Sequence, residues 1–209
     1  MGRVRVKICG ITSCKDALLA AEVGADALGF VFVQSSPRFI HPEEVARMRG
    51  QLPPLVFLVG VFADAPLEEV RGVVEACGLH AVQLHGGEDP QYCSSLGGCI
   101  IKAFRVKDRS SLTDLPRFRV AALLLDSYRA HQLGGTGETF DWDLAREAKG
   151  YGRLILSGGL RPENVAEAIR RVGPYAVDVC SGVEERPGRK DQGKVRRFLE
   201  EVARAEKSD

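Results

Sequence analysis

Lys7 and Cys9 stand two apart in the short apolar run Val4–Cys9. In a strand, that spacing points both side chains to one face. Cys9, followed at once by Gly10, is either a small core residue or, if its pKa of ~8.5 is lowered, a base or nucleophile. Lys7 is either the ion-pair partner of an inward carboxylate such as Asp178 or a Schiff-base amine. Asp126 follows Leu123-Leu124-Leu125. There it either caps the next loop or, if buried, is favoured in the protonated form that a general acid needs. Arg38, in Ser35-Ser36-Pro37-Arg38, suits a carboxylate through the guanidinium fork, or is simply solvated. His85, in Gln83-Leu84-His85-Gly86-Gly87, either meets a ligand or caps a helix.

Two glycine turns add an anion-binding pattern. Ser157-Gly158-Gly159 and Ser181-Gly182 each follow an apolar run late in the chain. Backbone N–H groups in such turns can face a phosphate, and glycine lets it approach. Val183-Glu184-Glu185 is long enough for a short extra helix behind the second turn. Gly134-Gly135-Thr136-Gly137 is a third cluster, either a lid or a plain surface loop. His41, His80 and His131 show no pairing pattern. Neither His-x-His nor His-Glu-x-x-His occurs, so no metal is expected.

The elements that must carry these residues alternate along the chain. Strand-like runs are Val4–Cys9, Ala27–Val33, Leu55–Phe62, Ala81–Leu84, Cys99–Phe104, Val120–Leu125, Arg153–Leu156 and Ala176–Val179. Helical patterns lie between them. Pro42, Pro66 and Pro162 open helices, and Gly24, Gly50, Gly78 and Gly173 end them, as helix termini favour. Weaker helical patterns cover Glu88–Leu96 and Asp108–Leu115. Gly24-x-x-Ala27, Gly78-x-x-Ala81 and Gly173-x-x-Ala176 repeat one entry into a strand. Eight strands in 209 residues allow about 26 per unit, enough for a strand and its crossover helix. A single (β/α)8 barrel over residues 1–209 is expected, with an open doubly wound sheet as the alternative. A barrel puts its active site at the C-terminal strand ends and often binds phosphate after strands seven and eight. Cys9, the Gln34–Arg38 loop, His85, Lys102, Asp126, Ser157 and Asp178–Ser181 fall there.

Composition narrows the classes. The chain is 44% hydrophobic with a net charge of +1, which excludes global disorder and an extended basic nucleic-acid surface. No apolar run is long enough to span a membrane. Arg3-Val4-Arg5-Val6 has no secretion-signal pattern. Six cysteines without a Cys-x-x-Cys read as reduced thiols, and a cytoplasmic location is expected.

Taken together, several motifs resemble one family, phosphoribosylanthranilate isomerase of tryptophan biosynthesis. They are Lys7-Ile8-Cys9-Gly10-Ile11-Thr12, Gly29-Phe30-Val31-Phe32 with Ser36-Pro37-Arg38, Val59-Gly60-Val61-Phe62, and Gln83-Leu84-His85-Gly86. Leu125-Asp126-Ser127, Gly134-Gly135-Thr136-Gly137 through Phe140-Asp141-Trp142, Leu156-Ser157-Gly158-Gly159-Leu160 and Asp178-Val179-Cys180-Ser181-Gly182-Val183-Glu184 complete the match. The likeness runs from about residue 4 to 205. One position departs from it: Cys180 stands where the family often has Ser. The resemblance implies an Amadori rearrangement of N-(5-phosphoribosyl)anthranilate without a cofactor. Asp126 would protonate the ring oxygen and Cys9 would remove the C2′ proton. Arg38 would hold the anthranilate carboxylate, with His85 and Asp178 also at the substrate. Gly158, Gly159, Ser181 and Gly182 would hold the phosphate. The only expected partner is this phosphosugar, bound by a monomer or homodimer. A related sugar isomerase and a non-catalytic phosphate-binding protein are the rival readings.

Overall fold

A computed structural model describes residues 3–127 and 141–207. Eight parallel strands form a closed barrel in chain order. They are β1 (Arg5–Cys9), β2 (Ala27–Val31), β3 (Phe57–Phe62), β4 (Ala81–Leu84), β5 (Ile100–Val106), β6 (Ala122–Ser127), β7 (Leu154–Leu156) and β8 (Ala176–Val179). Around them lie α1 (Cys14–Glu22), α2 (Pro42–Arg49), α3 (Leu67–Cys77), α4 (Pro90–Leu96), α5 (Trp142–Ala148), α6 (Val165–Val172) and α7 (Gln192–Lys207). The Gly134–Gly137 cluster and His131 fall outside the described residues. No helix among the described residues is long and apolar enough to cross a membrane.

Local chemistry explains the element ends. The Ser13 hydroxyl accepts from the Asp16 N–H at 3.1 Å and caps α1. Gly78 and Gly173 end α3 and α6 in the left-handed conformation, which glycine adopts without a Cβ penalty. The repeated glycine therefore does mark the turn into a strand. Strand alternation divides the core in two. Outward residues such as Ile8, Leu28, Phe30 and Leu125 pack under the helices. Inward Val59, Ala81, Ile101, Ala103, Leu124, Ile155 and Ala176 fill the barrel.

Several boundaries differ from the sequence expectations. The apolar run Leu55–Phe62 overshoots its strand: Leu55 is 96% exposed, and pairing starts at Phe57. Pro162 lies in a turn before α6, whose helix begins at Val165. Between β5 and β6 there are only two 3-10 turns, Arg109–Leu112 and Leu115–Arg117. No extra helix follows β8. Ser181–Val183 is a single 3-10 turn, and β9 (Glu184–Arg186) pairs antiparallel with β10 (Arg189–Lys190).

Candidate active site

One cleft opens at the C-terminal ends of the barrel strands, and Cys9, Arg38, His85, Asp126, Asp178 and Ser181 all line it. Its floor is the seam where β1 meets β8. Lys7 pairs in register with Asp178, and its ammonium lies 2.7 Å from the Asp178 carboxylate, with both side chains buried. Burial alone would lower the Lys7 pKa. The Asp178 carboxylate and the neighbouring Cys9 more than offset it, and the net shift is upward. The buried pair matches the ion-pair alternative for Lys7 and holds the amine in its charged form, the one that cannot attack a carbonyl. Ser157 Oγ donates to the other Asp178 oxygen at 3.1 Å.

Cys9 sits one layer above this pair. Its thiol pKa is lowered to about 6, first by a hydrogen bond from Cys180 and then by the Lys7 charge, against the opposing effect of burial. The Cys180 thiol is pushed well above its ordinary value, chiefly by that same hydrogen bond. Gly29, across from Cys9 in β2, makes room for the sulfur. A Cβ there would lie 2.7 Å from Cys9 Sγ and 3.0 Å from Lys7 Nζ.

Asp126 lines the same cleft from β6. Oδ1 accepts from the Ser127 N–H at 2.8 Å, and Oδ2 lies 3.4 Å from His85 Nε2. Its side chain is 18% exposed, so it is half-buried at the rim rather than sealed in the core. The other His85 nitrogen, Nδ1, is 3.1 Å from Gln83 Nε2, so this ring bridges β4 to the carboxylate instead of capping a helix. Gly158, at φ +80°, brings the loop after β7 against β6: a Cβ there would strike the Ser127 nitrogen and sit 3.0 Å from Asp126 Oδ1.

Arg38 reaches the cleft from the loop after β2, and the structure gives it a partner that the sequence did not suggest. Its Nε and Nη2 donate to the two Glu184 oxygens at 2.9 and 2.7 Å. Lys190 adds a second cation 3.0 Å from Glu184. Burial would raise the Glu184 pKa, but the Arg38 bonds and the Lys190 charge outweigh it and pull it down. The β9–β10 hairpin thus holds the guanidinium in a fixed plane. The glycine turns after β7 and β8 touch, because a Cβ on Gly182 would run into the Leu160 carbonyl oxygen. Gly158, Gly159 and Ser181 line the cleft, and Gly182 does not. Among the described residues, the N–H groups of Gly159, Ser181 and Gly182 donate to no protein acceptor.

Two further residues complete the picture. Lys102 points out of the barrel and forms a buried pair with Glu88 at 2.8 Å, away from this cleft. Arg105 was not foreseen. It lies opposite Asp126 in the β5–β6 register and lines the cleft. Counting inward by twos from Ile101 and Ala103 would have found it.

Comparisons with known proteins agree with this geometry. Residues 6–201 match the family described as N-(5'phosphoribosyl)anthranilate (PRA) isomerase. An N-(5'-phosphoribosyl)anthranilate isomerase from Geobacter sp. (strain M21) is 57% identical over 198 residues, covering 95% of this chain and 97% of that one. The crystal structure of phosphoribosyl anthranilate isomerase from Thermotoga maritima superposes with a TM-score of 0.91 at 45% identity, over 96% of this chain and 98% of the other. A phosphoribosyl anthranilate isomerase solved in complex with reduced 1-(o-carboxyphenylamino)-1-deoxyribulose 5-phosphate gives 0.87 at 43% identity, with the same coverage. With 95% of its length matched at 57% identity, the chain belongs to the N-(5'-phosphoribosyl)anthranilate isomerase family.

Proposed function

We propose that this isomerase converts N-(5-phosphoribosyl)anthranilate to 1-(2-carboxyphenylamino)-1-deoxyribulose 5-phosphate, with Asp126 as general acid and Cys9 as general base. The observation that carries this reading is that Cys9 and Asp126 line one cleft at the strand ends, and the lowered thiol pKa supports it. Asp126 gives its proton to the furanose oxygen. The ring C–O bond breaks as the anthranilate nitrogen forms a C=N bond to C1′. The Cys9 thiolate then takes the C2′ proton, leaving an enolamine that tautomerises to the ketone. A base with a pKa of about 6 is already a thiolate at neutral pH, so no second group has to deprotonate it.

The rest of the cleft holds the substrate's two ends. The Gly158-Gly159 and Ser181-Gly182 turns take the phosphate through backbone N–H groups. Arg38 has Nε and Nη2 committed to Glu184, which leaves Nη1 for the anthranilate carboxylate. His85 orients the Asp126 carboxyl. Asp178 anchors the lysine beneath the base. Fixing both ends turns the proton transfers into oriented, intramolecular events.

The test is direct turnover of phosphoribosylanthranilate, followed by loss of its anthranilate-type fluorescence. Turnover by the parent, with severe loss in Cys9→Ala and Asp126→Asn that still fold, is the expected result. Near-parental rates in Cys9→Ala would assign the base elsewhere.

A further inference from the structure

Two cysteines face each other across the seam that closes the barrel. β1 and β8 pair in register from Arg5↔Ala176 to Ile8↔Val179. The residues that follow are Cys9, the last of β1, and Cys180, the first beyond β8. Lys7 and Asp178, two residues earlier, are joined inside the barrel, so alternation sends both sulfurs to the same inner face. Both residues line the cleft. Gly10, next to Cys9 and at φ +72°, leaves room for the other sulfur, since a Cβ there would lie 2.7 Å from Cys180 Sγ. Neighbouring strands sit about 4.8 Å apart. That falls inside the Cα separation of about 4.4–6.8 Å that a disulfide spans.

We propose that Cys180 is the resolving partner of Cys9, so that a hydroperoxide converts the pair to a disulfide and shuts the cleft reversibly. The Cys9 thiolate attacks one peroxide oxygen. The O–O bond breaks, and the departing oxygen takes a proton and leaves as an alcohol, or as water from hydrogen peroxide. Cys9 is then a sulfenic acid. Cys180 gives up its proton and its sulfur attacks that of Cys9. The S–O bond breaks, and the hydroxide leaves with the Cys180 proton as water. Two thiols are oxidised and one hydroperoxide is reduced. The lowered pKa of Cys9 makes it the preferred target. Burial pushes the thiols of Cys77, Cys93 and Cys99 the other way. The link rests on geometry, whereas its effect on turnover rests on Cys9 acting as the base, so mass and rate are read separately.

The experiment treats the purified full chain with hydrogen peroxide and maps its peptides without reduction. The expected product is a Cys9–Cys180 peptide, with the whole chain lighter by two hydrogens. Activity should fall in step with conversion, by at least about a hundredfold in the linked form, because the base is removed. Dithiothreitol should restore it. Cys180→Ser is compared with its own untreated rate. Without a resolving thiol, continued peroxide should carry Cys9 to a sulfinic acid that dithiothreitol does not reverse. Sulfinic Cys9 beside a free Cys180 in the parent, or the same reversible loss in Cys180→Ser, overturns the proposal. A disulfide that forms without loss of turnover leaves the pairing intact but overturns both the switch and the reading of Cys9 as the base.

Discussion

Cys9 should set the acidic limb of the rate profile. With Cys9 as the proposed base, kcat/KM should fall as pH drops through about 6, where the thiol takes up its proton. Lys7→Gln removes the cation below the sulfur and leaves the Asp178 anion unpaired. Both changes disfavour the thiolate, so the limb should move to higher pH. A limb that stays in place would show that Lys7 does not act on this base. Cys9→Ala and Asp126→Asn should each lower kcat by about a hundred- to ten-thousandfold, the usual worth of a positioned acid or base. Cys9→Ser should also be severely impaired, because a hydroxyl holds its proton far more tightly. These residues could be placed from the sequence because alternation in a strand is strict. Lys7 and Cys9 share a face, and Asp126 ends an apolar run. The grip of Glu184 on Arg38 could not be foreseen. It joins the loop after β2 to β9, 146 positions away, and no local pattern specifies that these segments meet.

Among the elements, the two glycine turns make the sharpest prediction. Gly182→Ala places a methyl group on the Leu160 carbonyl oxygen, so the turns after β7 and β8 must separate. A loss of about 1–3 kcal/mol in stability is expected, as for other overpacked sites. Inorganic phosphate should inhibit the variant less strongly. An unchanged inhibition constant would show that the anion is not held between these turns. Most of the eight strands were legible as nearly unbroken apolar runs, the mark of a strand buried on both faces, while β1 and β5 carry inward or outward cations within that pattern. The β9–β10 hairpin was not, because Glu184-Glu185-Arg186 carries charge at every position. Its buried members are stabilised by ion pairs with Arg38 and Lys190 rather than by apolar packing. The stretch before β6 failed differently. Its polar run Asp108–Ser111 closes a tight capped turn, so the chain never extends into a full helix.

At the scale of the whole molecule, α7 is the longest helix described and packs mainly against α6. Phe198 is fully buried on its inner face. Phe198→Ala should cost about 3–5 kcal/mol through the cavity it leaves. For a domain of this size that lowers Tm by about 2–4 °C per kcal/mol. A thermal melt reads the shift. Because α7 stands behind the barrel, kcat of the folded fraction should change little, and a large drop would mean that the helix also shapes the cleft.

The Lys7–Asp178 bond joins residues 171 positions apart, so the seam between the first and last strands is a very long-range contact. Loop-closure entropy makes contacts of that range late and slow to form. Cys9 depends on the same event, since its hydrogen bond comes from Cys180, one residue beyond β8. A refolding chain should therefore carry an ordinary, weakly ionised thiol at position 9 until the ring closes. A neutral thiol-reactive dye, pulsed at about pH 6.5 during refolding, would then find Cys9 sluggish at first and quick only after closure. The Cys9 sulfur becomes a clock for completion of the barrel, and labelling as fast in the unfolded chain as in the native one would stop that clock.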